Sequence, residues 1–213
     1  MELKKKIIKN IIRGYNRRRL KNKDFTMIAN TCPGGIISHE LNQRFCSPTI
    51  NLGIRIHDEF FAFVEHLDYY LTLPLDFIPT EFHYPVAVLH GEYGDVTIYF
   101  THYKNQEQAL NKWRERIPRI NRDNIFLIMD GDNCSDEQVE HFGRLPIEKK
   151  VVITMKPDPA IPSVFPIVHH KYKQGDLLKY GMMDESVRWL EVFDYVHFLN
   201  TGEIRANALF RNK

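Results

Sequence analysis

Between positions 3 and 15 the apolar residues recur at helical spacing: Leu3, Ile7, Ile8, Ile11, Ile12 and Tyr15 form one stripe. Lys5, Lys6, Lys9, Arg13 and Arg17 fall on the opposite face, which predicts a basic amphipathic leader helix within residues 1–23. Beyond it, short apolar runs alternate with helical patterns. This is the signature of an α/β chain, and residues 24–213 are expected to form one α/β domain.

The runs can be placed one by one. Phe25–Asn30 is a first strand, broken by Cys32-Pro33-Gly34-Gly35, and a short helix follows through Ile36, Ile37 and Leu41. Thr49–Ile56 is expected to be extended, and Asp58 opens a helix carrying Phe60, Phe61, Val64, Leu67 and Leu71. Tyr84–Leu89 and Val96–Phe100 pair as a hairpin across a glycine-bearing turn. Asn105 and Gln108 read as a capping pair for a helix that buries Ala109, Leu110, Trp113 and Ile117, and Pro118 stops it. Ile125–Met129 is apolar throughout, as a central parallel strand is. Ser135 with Gln138 caps another helix, Val151–Thr154 is a further strand, and Glu203–Phe210 is a closing helix. The prolines at 157, 159, 162 and 166 force an irregular stretch. The expected architecture is a Rossmann-like layered fold with a mostly parallel sheet, one hairpin and helices on both faces.

Charge changes this picture at one end. Residues 1–23 hold ten Lys/Arg against one acid, so the remaining chain carries a net charge of −7 although the whole is +2. An acidic body argues against nucleic-acid partners, which need a basic face. The leader suits either an anionic membrane surface or packing on the body or on a second subunit. Three cysteines do not make a disulfide framework, and no apolar run approaches the ~20 residues of a membrane span. A cytoplasmic location follows as the expectation, with membrane contact through the leader as one of its alternative readings.

Candidate chemistry sits in three places. The loop Asn30-Thr31-Cys32-Pro33-Gly34-Gly35 follows the first strand, where α/β folds bind ligands, and Ser47 and Asn51 follow in the next polar segment. Cys32 at a helix start has the position of a low-pKa nucleophile, or else of a small buried thiol. Asp130-Gly131-Asp132 ends the most apolar strand; two carboxylates so spaced can hold Mn2+ or Mg2+ with a diphosphate, or simply make a polar turn. His102 is placed to act as a general base, with Tyr103 and Trp113 stacking on a sugar or base and Arg116 clamping a phosphate; the alternative makes Trp113 core and Arg116 solvated.

Several of these strings occur together: Phe25–Gly35, Ser47-Pro48-Thr49-Ile50-Asn51-Leu52, Tyr84-Pro85-Val86, and His102–Trp113 followed by Arg116 and Ile120-Asn121. In this the chain resembles a bacterial family of unknown function whose members are often labelled exopolysaccharide or capsule biosynthesis proteins. The likeness runs from about Phe25 to Asn200, and Ala87 stands where the family pattern has glycine. The resemblance implies a part in surface-polysaccharide synthesis. The matching activity is a transferase using a sugar-nucleotide or acyl donor. The alternative is a non-catalytic module that binds a nucleotide or glycan precursor, or a scaffold of that pathway.

Overall fold

The structure is a computed structural model that describes residues 2–155, 161–167 and 189–208. Its frame is a four-stranded parallel sheet in the order β1-β5-β6-β7, made of Thr26–Ala29, Ile125–Asp130, Lys149–Thr154 and Val164–Pro166. A second, antiparallel sheet joins β2 (Asp76–Ile78), β3 (Val86–Gly91) and β4 (Gly94–Tyr99). The hairpin expected from sequence is β3–β4, and Gly94 at φ 109 takes the positive dihedral that its turn demands.

Every residue of β1 and β5 is buried, because both sheet faces are covered. Strand alternation then divides the core. Ile125, Leu127 and Met129 join α3 (His57–Glu65), α5 (Gln106–Arg116) and α6 (Asp136–Arg144), together with Leu89, Val96 and Ile98 of the second sheet. Phe126 and Ile128 face the other way, toward Leu20 just after α1 (Glu2–Arg19), α2 (Pro33–Leu41) and α8 (Tyr195–Thr201). Phe60, Phe61 and Phe63 of α3 are fully buried, each worth roughly 2–3 kcal/mol of transfer free energy. The layered α/β expectation therefore holds, with helices on both faces.

The caps behave as the spacing indicates. Asn105 Oδ1 accepts the Gln108 N–H at 2.8 Å, and Ser135 with Gln138 forms a complete capping box. Other expectations shift. The helix opened at Asp58 breaks at His66 into α3 and a short α4 (Leu67–Tyr70). Thr49–Asn51 is a turn with Asn51 at φ 66, so the extended segment shrinks to a bridge in which Gly53 exchanges two 2.8 Å bonds with Tyr99. The closing helix lies earlier than expected. After a short α7 (Trp189–Val192), α8 is ended by Gly202 at φ 82, and Ala206 pairs with Phe193 where the sequence suggested a helix over Glu203–Phe210. Residues 209–210 of that range, and Pro157 and Pro159 of the proline-rich stretch, lie outside the described residues. Pro166 instead ends β7, whose neighbour β6 covers one edge only.

The second half of α1 is fastened to the body by polar groups. Asn16 donates to the Tyr195 hydroxyl at 2.9 Å, Tyr195 donates to Glu40 at 3.2 Å, and Arg17 Nε donates to the Glu40 carbonyl at 2.8 Å. Arg19 grips both oxygens of Asp194 at 2.7 and 2.9 Å, and Leu20 enters the core behind it.

Candidate functional site

The parallel ladder between β1 and β5 ends at Ala29 and Ile128, and the side chain of Asn30 continues it. Its Oδ1 accepts the Asp130 N–H at 2.9 Å and its Nδ2 donates to the Asp130 carbonyl at 3.0 Å. One residue thus straps the two strand ends together. On the far side the Asn30 carbonyl accepts from Ile54 at 2.9 Å, which brings in the Gly53 bridge to β4. A cavity of about 570 Å³ opens over this junction, at the carboxyl ends of the strands where α/β proteins commonly bind ligands.

Asn30, Asp130 and Asp132 lie at its base, with Thr31 and Cys32 on the α2 side. Arg55 and His57 enter from the start of α3, Gln138 from the start of α6, and Thr101 from the end of β4. Three helix N-termini therefore border one space, each bringing the positive end of a helix dipole toward it. Gln138 also donates to Asp58 at 3.1 Å, tying α6 to α3.

Asp130 dominates the electrostatics. Burial raises its carboxyl, the Asp132 N–H that it accepts at 3.1 Å lowers it, and the Asp132 carboxylate raises it again; the outcome is about 7. Among the described residues the second carboxyl oxygen has no hydrogen-bond partner. The hydroxyls of Thr31 and Thr101 are also buried without a partner among them, although both line the cavity. Buried polar atoms are nearly always satisfied, so two idle hydroxyls and a half-bonded carboxyl set this junction apart from the rest of the core.

Cys32 faces the same space. Its Sγ lies 3.5 Å from His102 Nε2, and His102 is exposed. Burial first, and the Asp130 charge second, push the thiol up from its ordinary value. Of the two readings of Cys32, a low-pKa nucleophile or a small buried thiol, the raised thiol favours the second, because burial first and the Asp130 charge second outweigh the helix terminus.

The remaining sequence candidates lie elsewhere. Gly34 and Gly35 are buried in α2, and a Cβ on Gly35 would sit 2.5 Å from Asn51 Oδ1, so these two residues pack on each other and leave no ligand approach. Ser47 is fully buried and bonds Thr49 at 2.9 Å. Trp113 is core, packed against Phe63 and Phe100, with no face left for a sugar. Arg116 is buried rather than solvated, donating at 2.8 Å to the Ile50 carbonyl and at 2.7 Å to the Tyr103 hydroxyl. Tyr103 donates to the same carbonyl at 3.0 Å, so the pair fastens the 49–51 turn from inside. Gly131 takes no positive φ; a Cβ there would meet Val152 Cγ2 at 2.4 Å, so close packing on β6 calls for glycine.

Sequence spacing singled out Asn30, Cys32, Asp130 and Asp132, and the fold gathers these four in one cavity. It missed Arg55, His57 and Gln138, which carry no motif and meet only through the convergence of helix starts. Thr31 and Thr101 sat inside strings read for their neighbours.

Fold and cavity together describe a layered α/β protein with a cavity over the carboxyl ends of its parallel strands. The chain belongs to the family described as "Domain of unknown function (DUF1919)", whose model matches residues 3–200. It is 35% identical over 187 residues to an uncharacterized protein of Haemophilus influenzae, a match covering 86% of this chain and 88% of that relative.

Proposed function

We propose that the protein is a transferase of surface-polysaccharide synthesis and that its cavity takes the anionic end of a sugar-nucleotide or acyl donor. The pathway rests on the motif resemblance. The chemistry rests on one observation: the partly unsatisfied Asp130 carboxyl faces the same cavity as the idle Thr31 and Thr101 hydroxyls and the Arg55 cation. Arg55 is exposed at the cavity margin, where Tyr84 accepts its N–H at 2.6 Å and its guanidinium lies 4.2 Å from the Tyr99 ring centre. Held by these aromatics, it presents a pre-oriented positive fork to a phosphate. The Asp130 carboxylate, ionised above about pH 7, accepts the proton of an incoming hydroxyl.

Asp130 and Asp132 also fit Mn2+ or Mg2+, since such ions take one or two carboxylate oxygens and complete their shell with water and phosphate. Among the described residues no group of three His, Cys, Asp or Glu gathers to hold an ion, so a diphosphate would supply the remaining oxygens. A bound cation would offset the charge of the donor.

Thermal shift against a panel of nucleoside diphosphate sugars and acyl-coenzyme A, with and without Mn2+, tests the reading. A donor at a hundred times its dissociation constant stabilises by about 2.7 kcal/mol. Asp130→Asn should keep metal-free donor binding but remove transfer, and should remove binding wherever Mn2+ is required. Binding without any transfer would favour the non-catalytic module. Failure of every donor would remove the proposal.

A further inference from the structure

The amphipathic leader is turned the opposite way from a helix that packs by its apolar stripe. Its attachment to the body runs through Asn16, Arg17 and Arg19, which hold Tyr195, Glu40 and Asp194. Four residues of the apolar stripe are left in water, Ile7, Ile8, Ile11 and Tyr15 being 50%, 56%, 66% and 45% exposed, while Ile12 is half-buried. At helical spacing these four share one side, and a contiguous apolar strip of this kind on a surface marks an interaction site. Rotating the helix to bury the strip would break all three polar attachments. The outward stripe is thus a product of the fold.

We propose that this stripe docks the protein on an anionic phospholipid surface, with α1 lying in the plane of the interface. Charge selects the occupant. The ten Lys/Arg of residues 1–23 oppose a body of net charge −7, so the molecule is polarised, and the helix that carries the apolar strip is part of its positive end. An anionic surface attracts that end and repels the body, which fixes the orientation of the docked molecule. Arg18 is exposed and makes no ion pair among the described residues. Tyr15, under the Arg19 guanidinium at 5.3 Å, has the half-apolar ring suited to the headgroup level. A second copy joined through the same stripe would bring two strongly basic segments together. Among the described residues no helix is long and apolar enough to cross a membrane, so the contact is peripheral.

The test uses the full chain in co-sedimentation with vesicles of phosphatidylcholine alone or with one-third phosphatidylglycerol. Association should be at least about tenfold stronger on the anionic vesicles and should weaken in high salt, where screening lengths fall to about 3 Å. The double variant Ile8→Ser/Ile11→Ser should lose association by about tenfold or more while keeping the wild-type melting temperature, since both side chains already face water. No association with anionic vesicles, or equal association of the double variant, overturns the proposal. So does a dimer in sedimentation velocity that the double variant abolishes, because the stripe would then join two copies. Donor binding at the cavity is read separately, so failure here leaves the transferase reading standing.

Discussion

Asp130 and Asp194 are both buried aspartates, 5% and 3% exposed, yet their surroundings differ in kind. Asp194 caps α8 through the His197 N–H and lies between two arginines, Arg19 at 2.7 Å and Arg205 at 3.0 Å. Burial pushes its carboxyl up, but Arg19, the His197 N–H and Arg205 together outweigh burial and hold it below the ordinary value. Asp130 is enclosed more deeply by surrounding atoms, accepts one backbone N–H and has no arginine beside it, so burial wins and its carboxyl rises to about 7. The first aspartate is satisfied by the protein and fastens α1 to α8. The second is left incomplete beside a cavity. A buried charge that the fold completes is a joint; one that it leaves incomplete is a candidate site.

The comparison predicts opposite responses to pH, and Asp130 gives the larger effect. In the unfolded chain its carboxyl loses its proton near 3.8, whereas in the folded protein it keeps the proton to about 7. The folded state thus binds more protons across that window, and stability falls as pH rises through it, by up to about 4 kcal/mol. Asp130→Asn should flatten this slope and give a more stable protein at pH 8, with little change at pH 4. Chemical denaturation at several pH values measures it. A slope unchanged in the variant would mean that Asp130 is not the group responsible.

Asp194 has the reverse sign. Its carboxyl is held low, so its stabilisation is present above the ordinary carboxylate value and is lost only as pH falls below it. Asp194→Ala should cost about 2–3 kcal/mol at neutral pH, below the 3–5 typical of fully buried pairs because Arg19 and Arg205 retain access to water. Limited proteolysis should then release α1 before the sheet unfolds. Global unfolding with no early loss of α1 would count against the joint.

The smallest effect sharpens the contrast inside the cavity. The Asp130 charge contributes to the raised thiol of Cys32, so Asp130→Asn should speed alkylation of Cys32 by about threefold to tenfold at pH 8. Asp194→Asn, at the other joint, should leave the rate unchanged. Mass-spectrometric labelling of Cys32 separates the two.

How much of this was readable beforehand depends on the range of the interaction. The capping pairs Asn105/Gln108 and Ser135/Gln138 were legible because each bond spans three residues. The central strand Ile125–Asp130 was legible because burial on both faces removes every polar residue but the last. The carboxylates at its end were legible for the same reason. Trp113 and Arg116 were misplaced as ligand groups because their partners, Phe63 and the Ile50 carbonyl, come from remote segments. The α8 boundary was missed because Gly202 ends the helix before the pattern that suggested one.

By itself the sequence determined the alternation of helices and strands, the basic amphipathic leader, and the carboxylates at the end of a buried strand. Those properties depend on neighbours a few residues apart. Tertiary structure alone decided that α1 turns its apolar side outward, that Asp194 finds two arginines, and that Asp130 finds none. Charge compensation is set by which remote residues share a space, and a sequence separation of 100 between Asn30 and Asp130 leaves no local trace of it.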